Sequence, residues 1–122
     1  MFDGSELDAT ERRIDDWQAG LARRAAQAHD LAARLAGLTA SARSDDGLVT
    51  VPVGADGSMT GLDLDEEVRR RPAAATARQI LATLAAARAD LTARATTVTA
   101  ETVGADSETG RAVLASLARR RP

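Results

Sequence analysis

The sequence predicts an α+β fold of order α-β-β-β-α, with a short helix after it. Three observations predict this. Apolar residues recur at heptad spacing from Leu7 to Leu38, the period falls to two between residues 39 and 64, and helical spacing returns after Arg71. Two long helices therefore flank a three-stranded antiparallel meander.

The first helix is expected over residues 7–38. Leu7, Ile14, Leu21, Ala28 and Leu35 share one heptad position, and Thr10, Trp17, Arg24, Leu31 and Leu38 the other. Such a stripe lies on one side of a helix and needs an apolar cover. Arg24 is its one misfit, either snorkelling past the edge of the contact or marking a site. Residues 39–44 alternate small and polar side chains as a weak strand, and Asp45-Asp46-Gly47 is a turn. Residues 48–53 form the best strand, with Val49, Val51 and Val53 on one face; Pro52 has no N–H, which predicts an edge or a bulge there. Residues 54–58 turn again, and residues 59–64 make a third strand placing Thr60, Leu62 and Leu64 together.

Pro72 suits the first position of the second long helix, whose stripe runs Ile80, Leu81, Leu84, Ala87, Leu91, Ala95, Val98 and frays by about residue 101. Gly104 and Asp106-Ser107 break the chain. Asp106 or Ser107 then caps a short helix with Val113, Leu114 and Leu117 on one side, running into Arg119-Arg120-Arg121. The expected division is an α+β domain over 1–102 and a helical extension over 103–122. A three-stranded sheet has edges and faces that these helices only partly cover, and the long stripe exceeds the sheet's width. Both points favour a homodimer.

Composition narrows the chemistry. At 122 residues the chain is about one domain, and its 44% hydrophobic content is mostly alanine, 28 residues of it. Leu, Ile, Val and Phe number 23, a thin core of the kind that oligomerisation completes. The absence of cysteine excludes disulfides, thiolate nucleophiles and Cys-bearing zinc sites. No apolar run approaches the ~18 residues of a membrane span, and the acidic start is unlike a secretory signal. A soluble protein of a reducing compartment is the expectation. All sixteen basic residues are arginine, which with the alanine load points to a GC-rich genome.

Charge is blocked: residues 1–16 carry net −4, 17–44 net +3, 45–67 net −7, 68–100 net +5 and 101–122 net +1, summing to −2. Arg12, Arg13, Arg23, Arg24 and Arg34 decorate the first helix, and Arg78, Arg88 and Arg94 the second. They read either as a phosphate-contacting surface, doubled in a dimer, or as solvated helix faces. Arg69-Arg70-Arg71 reads as a phosphate clamp or as partners for the adjacent Asp65-Glu66-Glu67. With no interleaved aromatics, duplex backbone contact is the nucleic-acid mode this composition supports.

Trp17, with Leu21, Leu31, Leu35, Val49, Val51 and Val53, is expected in the core or in a dimer seam. His29 is the sole histidine and has no partner set for a metal or for acid–base work, so it reads as a surface position. The acidic run at 63–67 lacks the glycine and alternating ligands of a calcium loop, and no Gly-rich phosphate motif precedes a helix. No nucleophile, base and orienter assemble, so no enzyme and no cofactor are expected.

Residues 46–51 (Asp-Gly-Leu-Val-Thr-Val), Asp56-Gly57, Leu62-Asp63-Leu64-Asp65, the Arg-Pro helix start and Ile80-Leu81-Ala82 together resemble the YbaB/EbfC family of small bacterial nucleoid-associated proteins over roughly residues 10–100. The resemblance implies a tweezer-like homodimer whose helical arms bind DNA with little sequence preference, in the cytoplasm at the nucleoid, without catalysis or cofactor. The acidic first dozen residues, the lack of lysine and the C-terminal helix depart from the family's usual pattern. The function expected is therefore backbone binding of duplex DNA. The alternative is a protein-interaction or adaptor subunit on the same fold with little DNA affinity.

Overall fold

The structure is a computed structural model and describes residues 4–119. The element order is α1 (Gly4–Ala36), β1 (Ala40–Arg43), β2 (Val49–Val53), β3 (Asp63–Leu64), a single 3₁₀ turn (Glu66–Arg70), α2 (Ala73–Val103) and α3 (Glu108–Arg119). This is an α+β fold with a three-stranded antiparallel sheet. Arg120 and Arg121 lie outside the described residues.

The sheet is ordered β1-β2-β3, so β2 is central. Its two corners are built alike. Gly47 and Gly57 hold φ of 76° and 81°, a left-handed conformation that glycine reaches without a Cβ clash. In each corner an aspartate precedes the glycine and accepts from the N–H two residues on: Asp46 from Leu48 at 3.0 Å, and Asp56 from Ser58 at 3.0 Å.

Pro52 therefore sits in the middle strand, not at an edge. The sheet accommodates it on the β3 side by a bulge. Val53 bridges Met59 and Thr50 pairs with Asp63, so Val51 and Pro52 face three residues, Thr60 to Leu62. The Pro52 carbonyl accepts from the Thr60 N–H at 3.0 Å, and Gly61 lies beneath the proline ring. The third strand is consequently shorter than its alternating pattern predicts: only Asp63–Leu64 remains, and Leu62 and Leu64 are exposed.

α2 crosses one face of the sheet and forms the core. Val49, Val51, Val53, Ala40, Ala87 and Leu91 are buried, with Leu38, Ala42, Ile80 and Leu84 packed against them. Thr83 and Thr99 are buried as well; each hydroxyl donates to the carbonyl four residues back, at 2.7 Å, so neither leaves a donor stranded. Pro72 stands one position before α2, which continues past the expected fraying point to Val103.

α1 runs antiparallel to α2 along its C-terminal third only. Leu35 and Leu38 line one cavity with Leu91, Thr92 and Ala95, while Arg24 and Gln27 line another with Val103 and Ser107–Thr109. Leu31 is buried at 2% exposure, but Trp17 is 66% exposed and Leu7, Ile14 and Leu21 are exposed too. Trp17 and Leu21 are thus not core residues of this chain. The stripe is covered only along its lower half, because the partner helix ends before its upper half.

α3 packs on α2, and Leu117 lines one cavity with Leu35 and Leu91. Of the two expected caps, Ser107 is the one used: its hydroxyl accepts from the Gly110 N–H and donates to the Gly104 carbonyl, both at 2.9 Å. Gly110 is buried, and a Cβ there would collide with the Gly104 carbonyl oxygen.

Candidate nucleic-acid interface

The charged groups sort by element. The carboxylates of residues 45–67 sit on the two sheet corners, on β3 and on the 3₁₀ turn, whereas eight of the fourteen arginines among the described residues ride on the long helices. On α1, Arg12, Arg23 and Arg34 recur every eleven residues. Eleven residues are close to three helical turns, so the three form a row spaced about 16 Å apart. Arg13 and Arg24 make a second row nearer the apolar stripe. On α2, Arg88 and Arg94 are about 120° apart around the axis and leave on different flanks. The Arg88 Nε donates to the Gly57 carbonyl at 2.8 Å, while Arg94 borders an open groove with Thr39–Ser41 and Pro52.

Partners divide the eleven candidate arginines further. Arg34 pairs with Asp30 at 3.2 Å, Arg69 with Glu66 at 3.1 Å, Arg94 with Asp90 at 2.9 Å and Arg71 with Asp46 at 2.6 Å. The other seven hold no carboxylate among the described residues: Arg12 and Arg88 donate to backbone carbonyls, and Arg13, Arg23, Arg24, Arg70 and Arg78 are exposed without a partner. A guanidinium free of carboxylate keeps its planar fork for phosphate oxygens. The Arg69–Arg71 run is therefore split, with Arg70 alone lacking a carboxylate among the described residues. One of its ion pairs is local, and the other reaches across 25 residues to the first sheet corner.

That corner is a polar clasp. Gln79 donates to Asp46 at 2.7 Å and accepts from Arg71 at 3.1 Å, while Ser44 donates to the other Asp46 oxygen at 2.8 Å. These donors, Gln79 first, then the Leu48 N–H, Ser44 and Arg71, hold the Asp46 carboxyl well below the usual carboxylate range. The Ser58 N–H and hydroxyl lower Asp56 similarly. Arg43, which no sequence motif singled out, joins the clasp by donating to the Gly47 carbonyl at 3.2 Å. Its signal was the outward register of β1, opposite Thr50. Arg111, on α3, is a further exposed cation outside every motif.

The residues expected in a core or seam fall into two sets. Val49, Val51, Val53 and Leu31 are buried and Leu35 is half-buried, whereas Trp17 and Leu21 face solvent. His29 is exposed on α1. Among the described residues no cluster of three or more His, Cys, Asp or Glu could hold a metal ion, and no helix is long and apolar enough to cross a membrane. The arrangement offers backbone-directed cations without a stacking platform, since Trp17 is the sole aromatic among the described residues.

The model of the YbaB/EbfC DNA-binding family matches residues 12–106, from the third turn of α1 to the elbow before α3. No curated protein and no solved structure matches the chain.

Proposed function

The chain belongs to the YbaB/EbfC family of nucleoid-associated DNA-binding proteins, and on that premise we propose that it works at the nucleoid as a homodimer that grips duplex DNA by its phosphate backbone with little sequence preference. The observation that carries this reading is the set of seven arginines without a carboxylate partner, five of them entirely free among the described residues. Cations of this kind release counterions when they meet phosphates, a driving force indifferent to base sequence. The monomer's net charge of −2 is unevenly spread, with residues 17–44 at net +3 and 68–100 at net +5 against −7 at 45–67.

Two copies meet, in this reading, along β3. Its outer edge is unpaired, Leu62 and Leu64 are exposed beside it, and Leu81 is 66% exposed on α2. Leu81 precedes Arg88 by two helical turns, which puts it on the flank that reaches the β2–β3 corner. An unpaired edge with apolar side chains is the surface a second copy covers.

The test is a salt series with two unrelated duplexes. Similar affinities that fall steeply with salt, by a slope of about −0.9 per phosphate neutralised, support the proposal. Absence of binding to either duplex at ~50 mM salt overturns it in favour of the adaptor reading.

A further inference from the structure

The apolar stripe of α1 is one continuous seam used only along its lower part. Leu31 is buried, Leu35 half-buried and Leu38 packed against the core, and the same two heptad positions continue upward through Leu21, Trp17, Ile14 and Leu7 into solvent. The free portion, residues 4–23, extends about 30 Å beyond the elbow at Gly104–Ser107. It lies at the opposite end of the subunit from Leu62, Leu64 and Leu81, because α1 and α2 are antiparallel and its free end leaves past the C-terminus of α2.

We propose that residues 7–24 of α1 are a self-pairing surface, joining antiparallel to the same segment of a second copy and linking subunits tip to tip. Three features commit the surface to that occupant. The first is continuity: the seam already works as a helix-packing surface a few turns below. The second is register. Antiparallel helices pair one heptad position with the other, and an overlap of residues 7–24 sets Ile14 against Trp17 of the second copy and Thr10 against its Leu21, each twice by symmetry. Leu7 then meets Arg24, the stripe's one charged member, at the end of the overlap, where a guanidinium reaches solvent and Glu6 of the other copy.

The third feature is charge. Residues 4–16 carry Glu6, Asp8, Glu11, Asp15 and Asp16 against Arg12 and Arg13, net −3, whereas residues 17–27 carry Arg23 and Arg24 and no acid, net +2. Antiparallel overlap puts each acidic tip beside the other copy's arginines, and parallel overlap would put acid beside acid. Two tryptophans and six Leu or Ile side chains bury on the order of 1,000 Å² in total, in the range of transient interfaces. The pairing is therefore concentration-dependent.

Trp17 is the chain's single tryptophan, so its fluorescence reports this contact alone. The full chain is followed from ~1 μM to ~1 mM by emission and by sedimentation. The expected result is a shift of emission to shorter wavelength as species larger than a dimer appear. Ile14→Glu, at an exposed position that folding does not need, should weaken the association at least tenfold and remove the shift. Glu6→Arg and Arg24→Glu should each weaken it, and the double exchange should restore it. Leu64→Glu should abolish pairing along β3 and leave the Trp17 shift intact, so failure at one surface is distinguishable from failure at the other. Emission independent of concentration, or an Ile14→Glu shift equal to that of the wild type, overturns the proposal; a shift lost in Leu64→Glu and retained in Ile14→Glu does so too.

Discussion

The carboxylate of Asp46 lies 2.6 Å from the guanidinium of Arg71, joining the first sheet corner to the entrance of α2 across 25 residues of chain. Gln79, on the second turn of α2, bonds to both partners and makes the contact a three-way clasp. Arg71 is therefore better placed to hold the fold than to meet DNA, unlike its neighbour Arg70.

The pH dependence of stability follows from the depressed Asp46 carboxyl. A group whose folded pKa lies below its ordinary value of 3.8 contributes stability above that value and loses it as pH falls toward the folded one. Asp46→Asn should melt below the wild type at neutral pH, and the difference should shrink as acid is added below 3.8. Thermal denaturation followed by circular dichroism against pH measures it. A difference constant into strong acid would mean that the charge of Asp46 is not what holds the corner.

Two leucines on one stripe should behave differently. Leu31 is 2% exposed and Leu7 is 50% exposed. Leu31→Ala should cost about 2–5 kcal/mol of unfolding free energy, the usual range for emptying a packed site. Leu7→Ala should cost under ~0.5 kcal/mol at concentrations where subunits do not pair through α1. Denaturant titration of both variants at low concentration decides it.

The elbow between α2 and α3 has no room for a β-carbon. Gly110→Ala should gain the helix propensity of alanine and still lose stability, by about 1–3 kcal/mol, because the added methyl meets the Gly104 carbonyl. Limited proteolysis should then cut within 104–110 sooner than in the wild type. An alanine variant as resistant as the parent would show that α3 docks with slack.

For DNA, the free arginines and the paired ones should separate. Arg23→Ala and Arg78→Ala should weaken binding to all duplexes alike and lower the salt slope by about 0.9 per phosphate contact removed, with melting unchanged. Arg71→Ala should instead lower the melting temperature, since it dismantles the clasp. Arg88→Ala should perturb the second sheet corner through its lost bond to Gly57. Electrophoretic mobility shift and melting on the same preparations separate the two effects.

The element order was legible in the sequence because each segment carries its own period. The valine alternation at 49–53 and the Asp-Gly pairs fix the strand and its corners without help from distant residues. The third strand was legible but its length was not, because Pro52 in the opposing strand goes with a bulge that consumes the alternation at residues 60–62. Of the two places the missing donor allows Pro52, an edge or a bulge, the structure uses the bulge, because an absent donor rules out a regular central strand but not a bulged one. Trp17 and Leu21 show another limit: periodicity says which side of a helix needs cover, and only the length of the neighbouring helix says how much of it the chain itself supplies. Which arginines are free could not be read either, because the partner of Arg71 is not among its neighbours in sequence.

The twin Asp-Gly corners also bear on how the chain reaches this state. Each closes within a few residues through its own side-chain oxygen, so the β1–β2 ribbon loses little entropy on forming and belongs among events of ~1–10 μs. Docking α1 on α2 brings together segments more than fifty residues apart and must wait for that ribbon to offer its valine face. The corners are thus the cheap closures of this fold, and the α1–α2 contact is the expensive one.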